Sequence, residues 1–216
     1  MAIISDAPSN AAHGEGRTLV TWGSTVGELQ RRIAALGLEA AGVSVEVLDE
    51  PDGPHIEVAA HDRDRTAWAL AVLRAGLGDV VVGEEGATLE GAVVDLLVRA
   101  GTTLTVLDRA SGGQLVHRLR AVPGAARHLA AAPAVPGGAA RSGAGGNDEG
   151  GDAGGAGPIV RLSPAEERGG ATVEIASWLD GERRVERVGE PECTAHALDH
   201  LRLRLLAASR AHVVRR

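Results

Sequence analysis

The chain has 216 residues and a formal net charge of −7, enough for one medium domain or two small ones. That charge argues against general nucleic-acid binding, which needs cations to displace counterions. Phe, Tyr and Lys are absent and Trp22, Trp68 and Trp178 are the only aromatics, so the core must be aliphatic, base-stacking platforms are scarce, and no lysine amine can serve as base or nucleophile.

The first ten residues, MAIISDAPSN, lack the basic and apolar regions of a signal peptide. Residues 1–16 read as a flexible lead. In STVGELQRRIAALG, Thr25 and Glu28 have capping-box spacing and Val26, Leu29, Ile33 and Leu36 form an apolar stripe, which predicts a helix stopping at Gly37. Two alternating segments then flank Pro51-Asp52-Gly53-Pro54, a hairpin signal. DRDRTAWALAVLRAG reads as a helix and DVVVG as a short buried strand. The expected order over 17–86 is helix, strand, strand, helix, strand, a small α+β unit.

A further helix, ATLEGAVVDLLVRAG, turns Leu89, Val93, Leu96 and Leu97 inward and stops at Gly101. TTLTVLD is a strand by its β-branched content. The turn Ser111-Gly112-Gly113 leads into the helix GQLVHRLRAV, which Pro123-Gly124 ends. Residues 133–157 are about two-fifths glycine and lack periodicity, so they read as a disordered linker. A coil of that length spans about 25–30 Å, so the segments on either side can share one sheet. PIVRLS, ATVEIASWLD and RRVERVG then predict three strands, the last two a hairpin. PECTAHALDHLRLRLLAAS predicts a closing helix with Ala197, Leu201 and Leu205 on one face.

From Gly101 onward this order resembles the CinA family of competence/damage-inducible proteins, whose C-terminal domain is a nicotinamide mononucleotide amidohydrolase module. The family runs a strand into Ala-Glu-Ser-Cys-Thr-Gly-Gly and a helix into Pro-Gly-Ser-Ser. Here the matching residues are Leu107-Asp108-Arg109-Ala110-Ser111-Gly112-Gly113 and Pro123-Gly124-Ala125-Ala126. Upstream, GRTLVTWGSTVGELQRRI and LGDVVVGEEGATLEGAVVDLL are similar to the family's linker and to the join after its KH-type domain. The resemblance covers most of residues 16–210, without the family's molybdopterin-binding-like N-terminal domain. It implies a KH-type unit over 17–86, then over 87–216 a trimmed three-layer α/β/α amidohydrolase-like domain interrupted by the linker. It also implies self-association or a CinA-like partner.

The matches keep structural positions and lose chemical ones. The family's first Ser falls on Arg109 and its nucleophilic Ser on Ala126. The stretch carrying its activating Lys falls on Val135-Pro136-Gly137-Gly138-Ala139-Ala140. Arg141 is no substitute, because a guanidinium stays protonated. The Thr of a later loop maps to Ser163, and a Gly-Asp-Arg motif maps to Gly189-Glu190-Pro191.

The residues leave two catalytic candidates, Ser111 and Ser163, each needing a histidine as base. Ser111 and His117 are six residues apart, about 240° of helical rotation, so they do not share a face. Arg109, Ser111, Gly112 and Gly113 are the candidate ligand-binding set, since N–H groups at a helix start hold anions; nicotinamide mononucleotide or a similar nucleotide is the implied ligand. Cys193, His196 and His200 are the candidate metal ligands, but no fourth ligand is indicated. Gly76 and Gly78 lack the spacing of an RNA-gripping KH loop, and Asp62, Asp64 and Asp79 oppose phosphate. The expectation is a CinA-like, catalytically inactive, cytoplasmic binding protein without a cofactor or a membrane segment. The alternative is an active mononucleotide deamidase with rearranged Ser/His chemistry.

Overall fold

The structure, a computed structural model, describes residues 16–130, 157–167, 170–179, 182–189 and 192–214. Residues 1–15 of the expected flexible lead and all of the expected linker but Gly157 lie outside the described residues. Contacts divide the chain into two units, Met1–Thr88 and Leu89–Arg216.

The first unit contains β1 (Arg17–Thr21), α1 (Val26–Ala34), β2 (Val43–Glu50), β3 (Gly53–Ala60), α2 (Arg63–Gly76) and β4 (Val81–Glu84). As the capping spacing predicts, the Thr25 hydroxyl accepts the Glu28 N–H at the start of α1, at 3.3 Å. Asp62 does the same for Arg65 at the start of α2, at 2.7 Å. β2 and β3 form the expected hairpin, closing at Glu50 opposite Gly53. Gly53 has φ 118°, and a Cβ there would meet the Thr21 carbonyl oxygen at 3.0 Å, so glycine is required on two counts.

One strand was not expected. β1 is five residues long, too short for its alternation to stand out, yet it lies inside an antiparallel sheet of order β2-β3-β1-β4. The unit is therefore a β-α-β-β-α-β arrangement of the split type. The segment read as a short buried strand is β4, which sits at the sheet edge with every residue half-exposed. The core is aliphatic: Leu19, Leu29, Ile56, Val58, Leu73 and Leu77 have no exposed area. Arg32 ties α1 to the end of α2, bonding Asp79 at 2.5 and 3.0 Å and the Gly76 carbonyl at 3.1 Å. Those bonds from Arg32 hold the Asp79 carboxyl below its ordinary value.

The second unit contains α3 (Leu89–Ala100), β5 (Leu104–Asp108), α4 (Gln114–Ala121), β6 (Leu129–Ala130), β7 (Ile159–Glu167), β8 (Gly170–Leu179), β9 (Glu182–Gly189) and α5 (Cys193–Val214). Its sheet has the order β6-β5-β7-β8-β9. β5 pairs in parallel with β6 and β7, and the rest is an antiparallel meander. Side chains alternate between sheet faces. Val106, Val160, Leu162, Ile175 and Ser177 fall on one face by register and are buried. α5 crosses β7, β8 and β9 on this face, α4 packs on β5, and α3 packs on both helices. The opposite face carries Leu107, Ile159, Arg161 and Ser163, all partly exposed. Among the described residues no helix covers it, so two of the three expected layers are described.

Two outcomes follow from this packing. Leu162→Ala should destabilise the second unit by about 2–5 kcal/mol, read as a lowered urea midpoint. Because the Asp79 value is lowered in the fold, the stabilisation it brings is present above the ordinary carboxylate value of about 3.9 and is lost as pH falls through the lowered one. Asp79→Asn should therefore flatten the acid limb of the stability–pH curve.

Candidate functional site

Asp108 ends β5, and its carboxylate points back into the turn before α4. It accepts the Ser111 N–H at 2.9 Å, the Leu115 N–H at 3.2 Å and the Ser111 hydroxyl. The Ser111 oxygen also accepts from Leu115, at 3.3 Å. Gly113, with φ 88°, is the residue that caps α4. Two of the N–H groups around this helix start, those of Ser111 and Leu115, are therefore bonded to a carboxylate of the same chain, whose negative charge opposes an anion there. Arg109 is exposed, and its backbone N–H bonds the Leu162 carbonyl at 3.0 Å.

The histidines nearby in sequence do not complete a site here. His117 is exposed on α4. His128 bonds the Thr102 carbonyl oxygen through Nδ1 at 3.0 Å. Ala126, where the resemblance places the family's nucleophile, is exposed in the short 3-10 turn Ala125–His128. Ser163 pairs across from Glu174, on the sheet face opposite the one that α5 covers.

The structure does assemble a Ser/His pair, at a position that sequence reasoning missed. His200 of α5 bonds Ser177 of β8 through Nε2 at 2.8 Å and Glu186 of β9 through Nδ1 at 3.0 Å. Ser177 is 1% exposed; the side chains of His200 and Glu186 are 11% and 46% exposed. His200 and Glu186 line a groove of about 420 Å³ between β9 and α5, within the roughly 300–1,000 Å³ of small-molecule sites. Its other end is apolar, formed by Leu179, Leu203, Ala207, Ala208 and Ala211.

Charge in the groove is mixed. Arg204, 7% exposed, bonds the Glu182 side chain and carbonyl at 3.0 and 2.8 Å. Its Nε is buried without a hydrogen-bond partner. Burial pushes the Asp199 carboxyl up, against the pull of Arg202, whose guanidinium bonds it at 2.5 and 2.9 Å.

The three candidate metal ligands share one helix but turn to different partners. Cys193 is buried beside Thr194, His196 lies 3.5 Å from Glu192, and His200 holds Ser177 and Glu186. Among the described residues no group of three His, Cys, Asp or Glu side chains is placed to hold a metal ion. No helix among them is long and apolar enough to cross a membrane.

No family profile matches the chain. Over about half of its length, however, it is similar to CinA-like proteins. It is 34% identical over 119 residues to the CinA-like protein of Thermomicrobium roseum, an alignment covering 52% of this chain and 29% of that one. The nicotinamide-nucleotide amidohydrolase PncC of Shewanella oneidensis is 32% identical over 107 residues, or 43% of this chain and 25% of its own length. A shorter match, 46% identical over 59 residues, joins it to the CinA-like protein of Gloeobacter violaceus. The chain thus spans less than a third of the length of these relatives.

Asp108→Ala should remove the acceptor that closes the β5–α4 turn, and cost about 1–3 kcal/mol of stability. Ser111→Ala, which leaves the carboxylate on both backbone N–H groups, should cost less. Chemical denaturation of the two variants checks the order.

Proposed function

We propose that this chain is a CinA-like protein that does not deamidate nicotinamide mononucleotide and acts by binding. The observation that carries this reading is the engagement of Ser111. Its hydroxyl is bonded to Asp108 within a turn-closing network, and the sequence holds no lysine to take a proton from a serine.

A protein partner, either a second copy or a CinA-like chain, fits better than a mononucleotide. Asp108 already takes the Leu115 N–H of α4 and the Ser111 N–H before it, and its charge opposes a phosphate at that helix start. The β9–α5 groove sets Glu182, Glu186 and Asp199 beside Arg184 and Arg204, a mixed charge that does not single out a phosphate. An active deamidase with rearranged Ser/His chemistry is the second reading. It is favoured only by the Ser177–His200 bond, and would have to run there rather than at Ser111 or Ser163.

Purified protein incubated with nicotinamide mononucleotide should release no ammonia above the buffer blank. Release that Ser177→Ala abolishes would replace the first reading by the second. Sedimentation over a range of concentrations should show self-association, or complex formation with an intact CinA-like protein. A monomer indifferent to both would remove the binding role.

A further inference from the structure

We propose that Ser177, His200 and Glu186 form an acyl-transfer site for small carboxylic esters, with the β9–α5 groove as its substrate channel. The proposal does not rest on the binding role; it uses the same Ser177–His200 pair as the second reading, and ester hydrolysis and ammonia release are read separately. Three observations lead to it.

The first is order. A serine oxygen, both ring nitrogens of one histidine and a carboxylate stand in a line, with bonds of 2.8 and 3.0 Å. With Nδ1–H donating to Glu186, Nε2 is left to accept the Ser177 hydroxyl, the arrangement that a hydrolytic serine needs.

The second is shape. Leu179 lies two residues beyond Ser177 on the same face of β8, and it lines the groove. His200, Leu203, Arg204, Ala207, Ala208 and Ala211 follow at helical spacing along α5. A ligand with an apolar tail along the alanines therefore brings its head to His200. Ser177 is 1% exposed and does not itself line the groove, so an ester reaches it only where its carbonyl passes His200.

The third is charge. Arg204 is one helical turn from His200 on the same groove wall, and a carbonyl oxygen gains negative charge as it is attacked, which a guanidinium on that wall favours.

The step balances without another reagent. The Ser177 oxygen bonds to the carbonyl carbon while its proton moves to His200 Nε2. The C–O bond to the alcohol then breaks, and the alcohol leaves with that proton. Water, deprotonated by His200, attacks the acyl-serine; the carboxylic acid departs and the Ser177 hydroxyl is restored. Ester and water become acid and alcohol. Glu186 is a positioning residue, holding the ring with Nδ1 protonated.

The test uses the full chain with p-nitrophenyl acetate and p-nitrophenyl butyrate, and a fluorophosphonate label located by mass spectrometry. The unaltered protein should hydrolyse both esters, the butyrate with the lower KM, and carry the label on Ser177. Ser177→Ala and His200→Ala should each lower kcat by at least about 100-fold, and Glu186→Gln should lower kcat by about 10-fold or more with KM unchanged. No hydrolysis by the unaltered protein, a label on another residue, or equal rates in Ser177→Ala each overturns the proposal. The labelling result requires no variant, so it stands even if a substitution impairs folding.

Discussion

The second unit depends on the parallel pairing of β5 with β7. Four residue pairs, Thr105–Ile159 to Asp108–Leu162, join segments about fifty residues apart. Each doubling of a closed loop costs only about 0.6 kcal/mol more entropy, so a long intervening segment is tolerated provided the ladder is good. The approach is close: a Cβ on Gly157 would come within 2.2 Å of the Thr103 carbonyl oxygen. Once β7 is placed, the meander places β8 and β9, and the buried face they present receives α5. The turn at the end of β5 and the groove beside α5 both depend on that one pairing.

These two places differ in what holds them. At the β5–α4 turn a carboxylate, a hydroxyl and two backbone N–H groups satisfy one another within eight residues. Such a turn is complete in itself and is stabilised by being closed. In the groove the polar groups come from three elements, and one buried donor remains unmet. Unmet buried polar groups cost stability, so each one in a folded chain calls for an explanation. The likeness to amidohydrolases draws attention to the turn, whereas the unsatisfied chemistry is in the groove.

The relatives are matched over about half of this chain and under a third of their own length. Likeness on that scale does not carry over an activity, so the chemistry has to be read from this chain's own side chains.

Local signals fixed much of the fold. Thr25 caps α1, Leu89, Val93, Leu96 and Leu97 face inward on α3, and Pro51-Asp52-Gly53 turns a hairpin, because caps, helical stripes and tight turns each involve residues within a few positions of one another. The sequence also determines by itself that no lysine-assisted serine exists here. It did not disclose β1, whose five residues gain their meaning from strands on either side, or the edge position of β4. Nor did it disclose the Ser177–His200–Glu186 line, although His200 stood out as a possible ligand. Ser177 and Glu186 share a face only through the β8–β9 register, and His200 meets them only because α5 lies across that face. Side-chain distances between elements are set by packing, so the tertiary structure alone decided which serine has a histidine.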